Sequence, residues 1–154
     1  MSDPVLVYKG SEIAAYGFGD PHPFGTDRHD VFHRELAETD LDGAIRYMTP
    51  RRATVDELLL FHTPEYIDKV SRMSKEGRGY LDGGDTPALP GIFDAASDVV
   101  GTTLAAVDAI MHGEAKRAFV PIAACTMRPA TGPRDSASST TAAWPPSTCG
   151  SVTG

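Results

Sequence analysis

Apolar residues fall along this chain in short runs broken by loops dense in Gly and Pro. The run Val5 to Tyr8 is rich in β-formers and closed by Lys9 and Gly10, which predicts a buried strand. Residues 14–28, AAYGFGDPHPFGTDR, carry no period and read as a loop. Thr26 is placed to cap a helix with Asp27 in its first turn. Phe32 lies four residues before Leu36, with Val31 beside it, so this helix has one apolar edge and ends near Glu38. Ile45 and Tyr47 predict a second, weaker strand before Pro50.

The second half of the pattern is helical. Thr54 and Glu57 form a capping-box pattern ahead of LLLF, so a short helix starts there. Thr63 and Pro64 open another, in which Ile67, Val70 and Met73 share a face and Gly77 closes the end. GYLDGGDTPALPG is a loop. From Ile92 a long helix carries a wide apolar stripe (Ala95, Ala96, Val99, Val100, Thr103, Leu104, Val107, Ile110, Met111) and ends at Gly113. RAFVPIA then reads as a buried strand. Strands alternating with amphipathic helices predict an α/β sandwich around a mostly parallel sheet. From Ala124 onward no window has helical or strand periodicity, and the composition is that of a disordered tail.

The 154 residues suffice for one domain with a real core. A net charge of −7 argues against direct nucleic-acid binding, which needs a basic face, while leaving a basic substrate open. No apolar run approaches the ~18 residues of a membrane span, and the N-terminus has no secretion-signal pattern. The two cysteines, Cys125 and Cys149, suggest no disulfide framework. A cytoplasmic protein is expected.

Candidate chemistry is sparse. His29 and His33 are spaced i, i+4, but no third ligand is near and zinc sites take about three or four, so a structural pair is the better reading. His112 sits at a helix end, where a cation suits the dipole. His22 and His62 lie in loops with no nucleophile pattern beside them. Neither a dinucleotide fingerprint nor a Walker pattern is present. For Asp85 a turn-forming role, and for Arg28 a surface helix charge, are the plainer readings of the residues alone.

Three segments in order change that picture: HPFGTDR, FHTPEYIDKVSRMS and GDTPALPGIFDAASDVVGTTLAAVDAI. Together they resemble the N-terminal part of the zinc-dependent deacetylase family, which includes histone deacetylases, acetoin-utilisation-type proteins and acetylpolyamine amidohydrolases. The resemblance covers about residues 5–123. It implies a three-layer α/β/α sandwich with a central parallel sheet, of which this chain holds the first third. It implies that 5–7 and 118–122 are neighbouring parallel strands. Asp85 matches the loop carboxylate that holds the substrate backbone N–H, an acceptor role suited to an ionised group. Arg28 matches an arginine lining a channel below the active site. His22 and His62 match motif positions with a structural role. In the family, zinc activates water and polarises the acetyl carbonyl of an acetylated lysine or polyamine, while a histidine moves the proton.

In the family the strand matching RAFVPIA leads into G-[LW]-H-H-A and then G-F-C-x-[FL]-N-D. Beyond RAFVPIA this chain has no paired histidines and no D-x-H zinc motif, and it has no tyrosine after residue 80. Its tail suggests why. Joining the last base of each codon to the first two of the next, Ala123 to Arg128 permit G-L-H-H-A. Arg134 to Thr141 likewise permit G-F-C-V-F-N-D, at the family's usual separation. The expected organisation is therefore residues 1–123 as the N-terminal part of a deacetylase domain and 124–154 as an out-of-frame tail. No catalytic or metal residue is expected in the chain as given, no zinc is expected at the family site, and no deacetylase activity is expected of it. The rival readings are a non-catalytic interaction module and an unrelated small α/β binding domain.

Overall fold

The computed structural model describes residues 3–19, 22–39, 41–84 and 86–122. The predicted tail, 124–154, lies outside the described residues. Three strands form one parallel sheet in the order β2-β1-β3: β1 is Val5–Tyr8, β2 Ile45–Met48 and β3 Ala118–Phe119. Leu6 stands beside Ala118 and Val7 beside Phe119, so the segments expected to be parallel neighbours are so. The last strand is shorter than the predicted run, although Ile122 beyond it is still buried.

Helices cover both faces. Leu6 and Tyr8 pack on the side of α1 (Ser11–Ala14), α4 (Pro64–Glu76) and α5 (Ile92–Met111), where Ile13, Val70, Ala95, Ala96 and Val99 complete the main core. The alternate positions face α2 (Arg28–Ala37): the rings of Phe32 and Phe119 lie 5.1 Å apart and those of His33 and Tyr47 6.0 Å. This is the expected three-layer arrangement around a parallel sheet.

Several local signals act as their chemistry dictates. Thr54 and Glu57 close a reciprocal capping box on α3 (Val55–Leu59). Thr63 Oγ1 accepts from the Tyr66 N–H at 3.3 Å, Pro64 opens α4, and Gly77 ends it at φ 63°. Three details differ from the pattern reading. The residue capping α2 is Asp27 in place of Thr26, without a side-chain bond. Ser11–Ala14 forms a helical turn too short to leave a period. On α2, the buried positions are His29 and His33, while Val31 is exposed. An apolar count overlooks this because imidazoles supply the packing surface.

The residues between β2 and α3 cross α5 at close range. Arg52 grips Asp98 with two bonds of 2.7 and 2.8 Å and reaches Asp94 at 2.8 Å. Arg51 makes a two-bond pair with Glu57 at 2.9 and 2.8 Å, and its N–H donates to Thr102 Oγ1 at 3.3 Å. Ala53 N–H donates to the Ser97 carbonyl at 3.0 Å. Gly101 makes the crossing possible. A Cβ there would lie 2.3 Å from Ala53 N and 2.4 Å from Arg52 C. Alanine in a helix gains roughly 1 kcal/mol over glycine. Here the obstacle is backbone, so the upper part of the ~1–3 kcal/mol overpacking range applies. Gly101→Ala is expected to destabilise the full chain by about 2 kcal/mol net, read as a lower urea midpoint. An unchanged or raised midpoint would show that the crossing has room.

Candidate functional site

The three motif segments converge. Phe18, Tyr66, Leu81 and Ala88 belong to one buried cluster, which joins the 16–28 loop, α4 and the 79–88 loop. Burial raises the Tyr66 hydroxyl pKa above its ordinary value, with Asp82 and then Tyr16 adding to it.

Within the first loop, His22 Nδ1 accepts from the Phe24 N–H at 3.1 Å, and its ring stacks edgewise on Phe18 at 4.6 Å. Phe18 N–H donates to the Phe24 carbonyl at 2.7 Å, closing the loop on itself. This is the loop-orienting role expected of His22. Arg28 is exposed, its guanidinium 4.3 Å from the centre of the Phe24 ring, a cation–π contact that fixes the head group at the start of α2. His62 is buried beside Tyr66, ring centres 5.2 Å apart. Its Nδ1 has no hydrogen-bond partner among the described residues, and burial lowers its pKa.

Asp85 lies outside the described residues. Its neighbours are held by Asp82, which the motif reading passed over. Asp82 Oδ1 accepts from the N–H groups of Gly84 and Thr86, both at 3.0 Å, and Oδ2 from the Thr86 hydroxyl at 2.5 Å. Leu81 N–H donates to the Thr86 carbonyl and Ala88 N–H to the Gly79 carbonyl, while Lys69 Nζ reaches the Leu81 carbonyl at 3.4 Å. Gly84, at φ 123°, takes a backbone conformation that other residues rarely adopt. The signal was available in D-G-G-D-T: an Asp two residues ahead of a Gly is an Asx-turn pattern. The geometry is that of a loop whose residues on either side of position 85 are held by Asp82.

His29 and His33 stack with ring centres 4.4 Å apart. His29 Nε2 accepts from the Gly10 N–H at 3.5 Å, and its Nδ1 faces Asp30 at 3.2 Å. Both ring nitrogens of His33 are buried without a hydrogen-bond partner among the described residues. No group of three His, Cys, Asp or Glu side chains among those residues is placed to hold a metal.

A histone deacetylase domain model matches residues 22–129. The chain belongs to the histone deacetylase family. It is 38% identical over 127 residues to the acetoin utilization protein AcuC of Bacillus subtilis, covering 77% of this chain and 32% of that protein. It is 28% identical over 110 residues to histone deacetylase HDAC1 of Drosophila melanogaster, covering 66% of this chain and 21% of the relative. Histone deacetylase 8 of Arabidopsis thaliana is 34% identical over 103 residues, with 66% and 27% covered. The crystal structure of an HDA15 HD domain superposes with a TM-score of 0.68 at 24% identity, covering 77% of this chain and 35% of that one, and so shares the fold. The chain spans about a third or less of the length of these relatives. Membership removes the unrelated α/β domain as a reading.

Acid should unfold this deacetylase-family chain in two windows. Burial, then His29 and Lys9, lower the His33 pKa below 6.5; the Tyr8 backbone and Asp30 oppose them. The unfolded chain therefore binds the proton more readily, so this stability is complete above pH 6.5 and is lost as pH falls below it. The hydrogen bonds from Arg51, then the Thr54 backbone, hold Glu57 at about 2 against an ordinary 4.5, so its contribution is lost between those values. Burial of His62 adds to the same upper window, so His33→Phe is expected to shrink the upper limb of a urea-midpoint titration and leave the lower one. An unchanged upper limb would show that His33 does not carry it.

Proposed function

We propose that the chain is the N-terminal third of a zinc-dependent deacetylase, residues 1–123, followed by an out-of-frame tail at 124–154. The observation that carries this reading is β3. It lies in parallel register against β1 with Ile122 buried beyond it, which supports reading it as the strand that precedes the paired histidines in the family. The residues after it contain no histidine at all. The intact protein would hydrolyse an acetylated lysine or acetylated amine to acetate and the free amine. A cytoplasmic setting fits the sequence, and no described helix is long and apolar enough to cross a membrane.

The family is zinc-dependent, and the described residues do not fit that ion, since they bring no three donors together. What this part of the chain supplies is positioning. Asp85, which follows Gly84 and precedes Thr86 in sequence, both held by Asp82, accepts a hydrogen bond from the substrate backbone. Arg28, oriented by Phe24, lines the channel once a facing wall is present.

One observation favours a second reading, a non-catalytic interaction module: Leu60 and Phe61 are 83% and 74% exposed side by side. The two readings part on the DNA. Nucleotide sequence across codons 118–154 is expected to encode HHA and GFC-x-FND in the shifted frame, and a different shifted reading ends the proposal. Restoring the frame is expected to give zinc-dependent acetate release from an acetyl-lysine reporter, with none from the 154-residue chain. In the frame-restored enzyme, Asp85→Ala should lower kcat/KM roughly 10- to 100-fold, the worth of a charge-assisted hydrogen bond of about 1.5–3 kcal/mol. An unaffected kcat/KM would remove Asp85 from substrate binding.

A further inference from the structure

The two faces of the sheet are covered by different means. On the α4 and α5 side the core is apolar, with Ile13, Val70 and Val99 at its centre. On the α2 side the buried helical residues are His29 and His33, while Phe32 and Leu36 are half-buried and Val31 and Ala37 exposed. A helix of 10 residues is marginal by itself, so α2 forms because it docks. Its docking surface is largely imidazole. The His33 ring centre lies 4.4 Å from His29, 5.0 Å from Phe32 and 6.0 Å from Tyr47 on β2. The other ties are slight. Asp27 caps the helix without a side-chain bond, and the Gly10 N–H reaches His29 Nε2 only at 3.5 Å.

The surroundings of His33 suit a neutral ring and no other. Both its nitrogens are buried without a hydrogen-bond partner among the described residues. A buried charge needs a counter-ion, and each packed element withholds one. On α2 itself, the Asp30 carboxylate is 87% exposed and faces His29 Nδ1, while Arg34 turns to Glu35 at 3.4 Å. Beyond β1, Lys9 holds its ammonium 5.6 Å from the centre of the Tyr47 ring, so the charge nearest this face of the sheet is positive. On β2, Arg46 turns away to the Glu114 carbonyl at 3.4 Å. On α1, Glu12 accepts from the Ser11 hydroxyl at 3.5 Å.

We propose that α2 is a pH-released layer: protonation of His33 undocks it from the sheet while α4 and α5 stay packed. The sign follows from the two states of the ring. Docked, burial first and then His29 and Lys9 hold its pKa below 6.5, against the Tyr8 backbone and Asp30. Undocked, it returns to its ordinary value. Docking is therefore complete above pH 6.5 and weakens as pH falls through the docked pKa, by up to about tenfold per pH unit. Low local stability confined to one element is what separates such a release from global unfolding. Release uncovers Val7, which is buried on this face, and carries Arg28, the first residue of α2, off the sheet. The inference does not depend on the reaction proposed above.

The test measures amide hydrogen-exchange protection in the isotope-labelled 154-residue chain at pH 7.5 and 5.5. Phe32 and Leu36 on α2 are expected to lose protection by about tenfold or more, with Val70 on α4 and Val99 on α5 changing less than about twofold. The His33 ring-proton signal should titrate in step with the α2 loss, a comparison that needs no variant. His33→Phe should abolish the loss. His62→Phe, at the other buried imidazole, should leave it in place. Equal loss on α2 and α5, full α2 protection at pH 5.5, or a His33 ring that titrates apart from the loss would overturn the proposal. So would an unaltered α2 loss in His33→Phe, or a spectrum without dispersed α5 signals at pH 7.5, because α2 would then have no sheet to dock on.

Discussion

The arrangement depends on one close crossing, where residues 51–53 pass over α5 at Gly101. Without a side chain at 101 the extended backbone settles directly on the helix, and its polar groups find partners there: Ala53 N–H on the Ser97 carbonyl and Arg51 N–H on Thr102. The Arg52–Asp98 pair then locks the register. Asp98 is buried, so its charge is tolerable only while the guanidinium holds both oxygens. Removing Arg52 would strand the Asp98 charge at the centre of the joint, whereas Arg52 without Asp98 keeps solvent and Asp94. The pair raises the Arg52 pKa, through its bonds to Asp98 above all, so it stays charged throughout.

The rest of the molecule inherits its geometry from that joint. Upstream, it fixes where the chain leaves β2 and the sheet. Downstream, Arg51 holds Glu57 while Glu57 caps α3, so the same carboxylate ties the crossing to the start of the next helix. The Ala53, Leu58 and Ile67 cluster then seats α4. Ser74 of α4 accepts from the Phe93 N–H at 3.1 Å, returning the chain to the first turn of α5. Between these two helices the 79–88 loop has little freedom. It is clamped by Asp82 from within and by Lys69 from outside.

How much of this could be read from the chain follows from the range of each interaction. The α4 helix was legible from end to end, because Thr63, Pro64 and Gly77 act within a turn of themselves. So were the capping box of α3 and the motif segments that carried the family. The Gly101 crossing was not, because it joins residues about fifty apart and a glycine inside a helix looks only like a weak helix former. The inner face of α2 was misread for a different reason. His29 and His33 are polar by type but are buried here as flat packing surfaces, against each other and against Phe32 and Tyr47. The role of Asp82 was overshadowed by the motif carboxylate three residues later.

The long stripe on α5 carries the last step. Pattern alone assigned it one wide apolar face, but the structure divides it. Ala95, Ala96 and Val99 are buried against the sheet, whereas Val107, Ile110 and Met111 are exposed, Met111 by 78%. A surface helix would place charge on that second side, and a helix apolar on both sides is built to lie between layers. Phe119 makes the same case on β3, the edge strand opposite β2, where it is 45% exposed beside the Phe32 ring. These exposed groups are composed for a larger body than the described residues form, in keeping with relatives about three times as long or more. The joint at Gly101 lies at the far side, toward β2, and is complete in itself. The chain is thus well determined where its contacts are all present and underdetermined where β3 faces outward, which is where the family's histidines would enter.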